Sequence, residues 1–337
     1  MKKNIRNFLV GTGITAGMVT VMGAVSYSIT KKLVAVAMDR NETEAVEFSR
    51  RTLSDIPEMR AFFALQNGAA EQLKNKDCER VEITAADGIK LVGHLRTCEN
   101  AERIIIAMHG WRSSWAKDFG FLADFLHDNG CHVLYAEQRG QGSSGGDYIG
   151  FGLTERFDCL DWIKWVNEQG YGNLPVYLCG ISMGASTVLM AGGSELPGNV
   201  HGIIADCGYT SPYAIWKYVT ENDLHIYYDD VRRSIADDIC REKIQFGSND
   251  YSCTEALTNC KIPVLFIHGT DDSFVPVEMS YENYKACVSP KRLFVVPGAE
   301  HGMSYMVDKK GYEQAVKQFW HDFDSREVET DEKGNCI

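Results

Sequence analysis

Six short apolar runs recur along this chain: "RIIIAM" (103–108), "HVLYA" (132–136), "VYLC" (176–179), "VHGIIAD" (200–206), "IPVLFIH" (262–268) and "RLFVV" (292–296). The first, "RIIIAM", is a continuous apolar run and reads as a strand covered on both faces, and the others repeat the scheme of strand, loop and helix. Helix-like stretches at Ala116–Asp128, Leu153–Glu168 and Val307–Phe323 separate or follow them. Strand and helix in regular succession imply a mainly parallel sheet with helices on both faces. Ahead of the series, "VEITAADGIKLVGHLR" alternates on either side of Asp87-Gly88, which predicts a β-hairpin.

The rhythm stops between Gly208 and Cys260. That stretch is rich in tyrosine, aspartate and arginine, with helical spacing around Ile215–Val219 and Val231–Ile239. An insertion of about 50 residues between two core strands reads as a small helical cap. From Asn41 to Lys76, apolar residues such as Phe48, Leu53, Phe62 and Leu65 fall at helical spacing. The expected organisation is an N-terminal anchor or uncleaved signal (1–34), a helical linker (35–77), a core in two parts (78–207 and 261–325), the cap (208–260) and a polar tail (326–337).

Composition excludes some functions. A net charge of -12 argues against broad affinity for nucleic acid. The 11 cysteines form no C-x-x-C pair and no zinc-like spacing with histidine. Cys131, Cys179 and Cys207 lie in or beside apolar runs, where a free thiol behaves as a small hydrophobe.

The N-terminus carries a separate signal. Lys2, Lys3 and Arg6 precede an uncharged run, Phe8–Ile29, which Lys31-Lys32 close. As a helix the run is long enough to cross a bilayer core of about 30 Å, so a single-pass membrane anchor is expected. A cleaved signal peptide is the rival, because Ala24-Val25-Ser26 has small residues at the required spacing. Basic residues flank both ends almost evenly, which leaves the side open, with a lean towards an extracytoplasmic body. Gly13 and Gly17 make a G-x-x-x-G, a weak hint of helix pairing.

The run "VYLC" ends in Gly180-Ile181-Ser182-Met183-Gly184, and a helix-like segment follows. A serine between two glycines at a strand-to-helix turn is the nucleophile elbow, G-x-S-x-G. The turn strains the serine backbone, and a side chain at either glycine would strike the neighbouring strand or helix. Ser182 Oγ is thereby presented at the carboxyl end of the sheet, above a helix N-terminus that favours negative charge.

A serine hydroxyl needs a base, and the base an orienting carboxylate. Among nine histidines, His301 lies in "VVPGAEHGMS", the loop after the last apolar run. His268 and His109 also end strands but precede glycine turns and read as structural. For the acid, "HGTDDSFVP" offers Asp271 and Asp272, and Asp206 is the alternative after the strand that follows the elbow helix. Spacing alone does not choose among them. An oxyanion hole requires two backbone N–H groups. Met183, just after the serine, supplies one, and Trp111 in "HGWRSSW" is placed to supply the other.

Together these motifs resemble the α/β-hydrolase superfamily, on the serine-hydrolase branch that includes prolyl-oligopeptidase-like and serine-aminopeptidase-like (monoacylglycerol-lipase-like) domains. The resemblance spans about residues 78–324 outside the cap. "HGW" is similar to the family's oxyanion loop, and "EQRGQGSSGG" resembles D-x-R-G-x-G-x-S with Glu137 in place of aspartate, a departure affecting loop support. "GISMG" matches the elbow, and "GAEHG" the histidine loop. "HGTDDSFVP" matches H-G-x-x-D-x-x-V-P, which assigns the acid to Asp272.

The resemblance implies an α/β-hydrolase fold and two-step acyl transfer. Ser182 attacks a carbonyl, His301 takes its proton, Asp272 orients the imidazole, and no metal or organic cofactor is required. It does not fix the substrate. The cap residues Tyr209, Tyr213, Trp216, Tyr218, Tyr227 and Tyr228 fit an apolar or aromatic group on a small-molecule ester or acyl substrate. The leading expectation is a membrane-anchored carboxylic-ester hydrolase. A peptidase and an acyltransferase are the catalytic alternatives. A non-catalytic binding protein is disfavoured because all three members of the triad are present.

Overall fold

The computed structural model of the protein describes residues 24–41, 44, 55 and 57–324. Eight strands form one sheet: β1 (Glu79–Thr84), β2 (Lys90–Arg96), β3 (Arg103–Met108), β4 (Cys131–Glu137), β5 (Val176–Ile181), β6 (Val200–Asp206), β7 (Val264–Gly269) and β8 (Lys291–Val296). Their order is β1-β2-β4-β3-β5-β6-β7-β8. The β1–β2 hairpin and the β2–β4 pair are antiparallel, and every other pairing is parallel.

Each residue of β3, β5, β6 and β7 is buried, as their mainly apolar sequences favour. Alternate side chains then serve opposite faces. Ile104 and Ile106 pack with Leu178, Trp162 and Val188, whereas Ile105 and Ala107 pack with Tyr177, Phe119 and Phe319. Each fully buried side chain of this kind is worth roughly 1.5–3 kcal/mol in transfer free energy.

The helices are α1 (24–38), α2 (Pro57–Lys74), α3 (Trp115–Phe119), α4 (Ala123–Asp128), α5 (Glu155–Val166), α6 (Met183–Ala191), α7 (Pro212–Tyr218), α8 (Asp230–Ile244), α9 (Cys253–Leu257), α10 (Val277–Ala286), α11 (Ser304–Val307) and α12 (Lys309–Phe323). The segment between β6 and β7 carries α7, α8 and α9.

One expected helix is broken in two, and the last is preceded by a separate short helix. The stretch from Ala116 becomes α3 and α4, because Gly120 lies against the backbone of α2. A Cβ there would sit 2.7 Å from the Ala69 carbonyl carbon, so this residue's lack of a side chain lets α2 approach. The last helix starts after Asp308, whose Oδ1 accepts from the Gly311 amide at 2.9 Å and caps α12. In the expected linker, residues 45–54, which include Phe48 and Leu53, lie outside the described residues, and α2 supplies the rest.

The membrane anchor needs correction. Among the described residues no helix is long and apolar enough to cross a membrane. Lys31 and Lys32, expected to close the span, sit within α1, which continues past them. Val34 and Met38 on that helix are only 2% and 1% exposed, packed against Tyr228, Ala236, Ile239 and Cys240 of the inserted segment. The end of the run therefore leads into a helix docked on protein. The part of Phe8–Ile29 before residue 24, with Gly13 and Gly17, lies outside the described residues. The single-pass localisation and the extracytoplasmic lean drawn from that run fall with it.

Candidate active site

β5 runs straight into the turn that presents Ser182. The serine backbone has φ 57 and ψ -119, far from ordinary strand or helix geometry, and its amide donates to the Asp206 carbonyl at 2.8 Å. Both flanking glycines are sterically required. A Cβ on Gly184 would lie 1.8 Å from the Met108 carbonyl oxygen of β3, and one on Gly180 would lie 2.2 Å from Gly184 backbone atoms. Strand and helix thus meet so closely that Ser182, though non-glycine, is held at a positive φ.

Three side chains from separate loops converge there. Ser182 Oγ lies 2.9 Å from His301 Nε2, and His301 Nδ1 lies 2.7 Å from Asp272 Oδ2. The second Asp272 oxygen accepts from the Phe274 and Val275 amides at 3.0 and 2.8 Å. Acceptors on the carboxylate side give His301 the tautomer with its proton on Nδ1, leaving Nε2 to accept from the serine hydroxyl. The Phe274 ring stands edge-on to His301 at 5.1 Å between centroids.

Electrostatics follow from this packing. Burial alone would push the Asp272 carboxyl up. The facing His301, the His268 hydrogen bond and the Val275 amide outweigh that, and hold it well below the usual carboxylate range. Burial likewise pulls His301 down, but Asp272, with help from Asp206 and Asp118, leaves its pKa raised. A negative charge beside the ring therefore favours the imidazolium that forms when a serine proton is accepted.

The structure separates the residues that spacing left open. Asp271 is exposed, and accepts from Thr270 Oγ1 at 2.7 Å. Asp206 is buried, with its carboxyl taking Ser304 Oγ at 3.3 Å, and burial pushes its pKa up to about 6. His109 is buried between Gly110 and Gln138, and burial lowers its pKa, which keeps it neutral and structural. Glu137 joins His94 at 2.7 Å and also takes the Ser143 amide, so it braces the loop it opens.

His268 does more than end a strand. Its Nε2 lies 3.1 Å from Asp272 Oδ2 and 2.8 Å from the Val275 carbonyl, while Nδ1 faces Ser280 Oγ at 2.6 Å. It positions the same carboxylate that meets His301. The histidine opening "HGTDDSFVP" was the available signal, but no local pattern says which neighbour it holds.

The loop after β3 passes directly over the elbow, and a Cβ on Gly110 would lie 3.3 Å from Ser182 Cβ. Its amides are claimed in an informative order. Gly110 donates to Asp118 Oδ2 at 2.6 Å, Arg112 to Gln141 Oε1 at 2.6 Å, and Ser113 to the Gly110 carbonyl at 3.4 Å. The Trp111 amide between them has no such partner among the described residues. Met183, as the first residue of α6, has no acceptor within its helix. Beside them lies an apolar cluster of Met183, Ile149, Phe151, Tyr209, Ile215 and Val275. Cys207, Asp272 and His301 each place one potential metal-ligand atom within 4.8 Å of the others, but two of the three already hold each other.

Comparison with known proteins shows what the chain is similar to. A family model described as "Serine aminopeptidase, S33" matches residues 99–217. The uncharacterized protein YqkD of Bacillus subtilis (strain 168) is 27% identical over 240 residues, covering 70% of this chain and 77% of that protein. Human protein ABHD12B is 27% identical over 246 residues, covering 69% of this chain and 61% of its own length. Among solved structures, the Pyrococcus furiosus esterase Pf2001 superposes with a TM-score of 0.59 at 25% identity, covering 73% of this chain and 93% of the esterase. Sheet order, strained elbow and these similarities together give the chain an α/β-hydrolase fold, similar to enzymes of the hydrolase kind.

Proposed function

We propose that the protein is a serine hydrolase that cleaves small-molecule carboxylic esters through an acyl-enzyme on Ser182. The observation that carries this reading is the relay from Ser182 Oγ through both ring nitrogens of His301 to Asp272, mounted on a strained elbow. His301 accepts the serine proton as Oγ attacks the ester carbonyl. The Trp111 and Met183 amides receive the developing oxyanion, which is usually the largest single contribution to such a step. Collapse of the tetrahedral species expels the alcohol, protonated by His301, and leaves an ester on Ser182. Water then repeats the sequence with His301 again as base.

The surroundings of Met183 support an apolar acyl or alcohol group. Ile215 and Trp216 of α7 belong to the same cluster as Phe151 and Val275. The charged residues of α8, which a peptidase would use to grip a peptide terminus, are engaged elsewhere: Arg232 with the Tyr227 carbonyl and Thr30, Arg233 with Asp230. An ester is therefore favoured over a peptide.

The test is fluorophosphonate labelling together with turnover of p-nitrophenyl esters and aminoacyl amides. Wild type is expected to label at Ser182 and turn over esters, and Ser182→Ala to lose labelling and several orders of magnitude in kcat while keeping its fold. Labelling of Ser182→Ala at the wild-type rate overturns the assignment, and a preference for aminoacyl amides turns the reading towards a peptidase.

A further inference from the structure

The loop that presents the Trp111 amide is held on its outer side by residues outside the hydrolase core. The Trp111 indole Nε1 donates to the Ala37 carbonyl at 2.8 Å. Arg112 Nη2 donates to the Val36 and Asp39 carbonyls at 2.9 and 2.6 Å, and Nη1 to the Arg40 carbonyl at 3.4 Å. These acceptors lie in the last turn of α1 and just beyond it, where helical carbonyls lose their internal partners and a cation is favoured by the helix dipole. The Arg112 backbone itself turns at φ 50.

The end of α1 is fixed in turn. Val34 and Met38 pack on α8, and Asp39 pairs with Lys243 at 2.7 Å. Arg40 reaches the carbonyls of Ser144, Gly146 and Gly142 at 2.6, 3.0 and 2.7 Å, and the Met38 carbonyl accepts from the Ile149 amide at 2.7 Å. Ala37 also touches the apolar cluster around Met183. One short stretch of chain therefore joins the inserted helices, the loop after β4 and the loop over the elbow.

We infer that the end of α1, residues 36–40, is a working part of the active site: it sets the position of the Trp111 amide, with Arg112 as the positioning residue. The inference rests on the proposed role of Trp111 and Met183 as oxyanion donors. Asp118 and Gln141 hold the amides on either side of Trp111, and backbone carbonyls at the end of α1 hold the Trp111 and Arg112 side chains on the outer face. Weakening that support loosens the outer side of the loop, and the donor shifts from the place where charge develops. A displacement near 1 Å in such a group costs up to about 100-fold in rate.

The experiment uses the full chain with Arg112→Ala, Arg112→Lys and Arg40→Ala, each checked by thermal melting. Arg40→Ala removes the side-chain grip of α1 on the loop after β4 while leaving the Arg40 carbonyl that Arg112 uses. The expected result is a fall in kcat of about 10- to 100-fold for Arg112→Ala on p-nitrophenyl acetate, with KM within about twofold. Affinity for a trifluoromethyl ketone, whose adduct carries the oxyanion, falls by a similar factor. Arg112→Lys recovers part of the loss, and Arg40→Ala shows a smaller loss with the same split between kcat and KM. If Arg112→Ala does not fold, the other two variants decide. Folded variants that keep kcat and ketone affinity within twofold of wild type overturn the inference, as does a loss confined to KM. Wild-type protein that fails to label at Ser182 overturns instead the reading on which the inference rests.

Discussion

Asp272 is a buried carboxylate that holds two imidazoles by the same oxygen, His301 at 2.7 Å and His268 at 3.1 Å, while its other oxygen takes two backbone amides. Every lone pair has a use, so the group stays ionised and fixed although no water reaches it. Replacing Asp272 by asparagine keeps the shape but removes the charge and puts an N–H donor or a neutral carbonyl against His301. Asp272→Asn is expected to cost on the order of 10⁴ in kcat. Asp271→Asn, exposed and bonded to Thr270, is expected to cost less than about threefold. Steady-state kinetics on one ester decides, and a crippling effect at Asp271 or Asp206 would reject the assignment. The pH profile gives an independent reading. His301 must be neutral to accept the serine proton, so kcat/KM falls as pH drops through its pKa. Asp272 raises that pKa, which places the acid limb above the ordinary histidine value of about 6.5. In Asp272→Asn the residual activity is expected to show its acid limb at lower pH.

The elements carried by long apolar runs were legible because a strand buried on both faces leaves a sequence with no alternation. β3, β5, β6 and β7 all lie where such runs stand, and the Asp87-Gly88 turn joins β1 to β2. The elbow was legible for a steric reason: Gly180 and Gly184 can be nothing larger. The break at Gly120 and the helix start at Asp308 were not, because the first depends on α2 from another part of the chain and the second on a side-chain cap. Nor does any local pattern reveal that α1 grips a loop some 70 residues further on, since the carbonyls it offers belong to every residue alike. At this scale α7 makes a prediction. Trp216 meets Phe151 edge-to-face at 5.2 Å within the cluster beside Met183. Trp216→Ala is expected to lower kcat/KM for an octanoate ester by about tenfold, the loss of roughly 1–2 kcal/mol of apolar contact, and for acetate by less than threefold. Equal losses on both esters would show that α7 supports folding rather than acyl binding.

Across the whole molecule, the loops that bring Ser182, Asp272 and His301 together and the structural ties sit at opposite ends of the sheet. Ser182 leaves the carboxyl end of β5, whereas Arg103, the first residue of β3, pairs at the far end with Asp324, just past α12, at 2.7 Å. Tyr177 donates to the same carboxylate at 2.9 Å, and His201 Nδ1 donates to the Phe323 carbonyl at 2.8 Å. Asp324→Ala leaves the buried Arg103 guanidinium with only Glu102, Asn129 and Cys131 as hydrogen-bond partners among the described residues, and is expected to lower stability by about 1–3 kcal/mol. Activity per folded molecule is expected to stay within twofold, so urea unfolding followed beside esterase assays should separate the two effects. α12 also covers one face of the sheet with Tyr312, Val316, Phe319 and Trp320, all at most 2% exposed. The ribosome delivers a chain from its amino end, so the strands these residues cover are synthesised long before their cover. Until α12 emerges, Ile105, Tyr177 and Ile204 remain part of an apolar surface open to water and to chaperones. The newborn protein therefore cannot close its core until nearly all of its described length has left the exit tunnel.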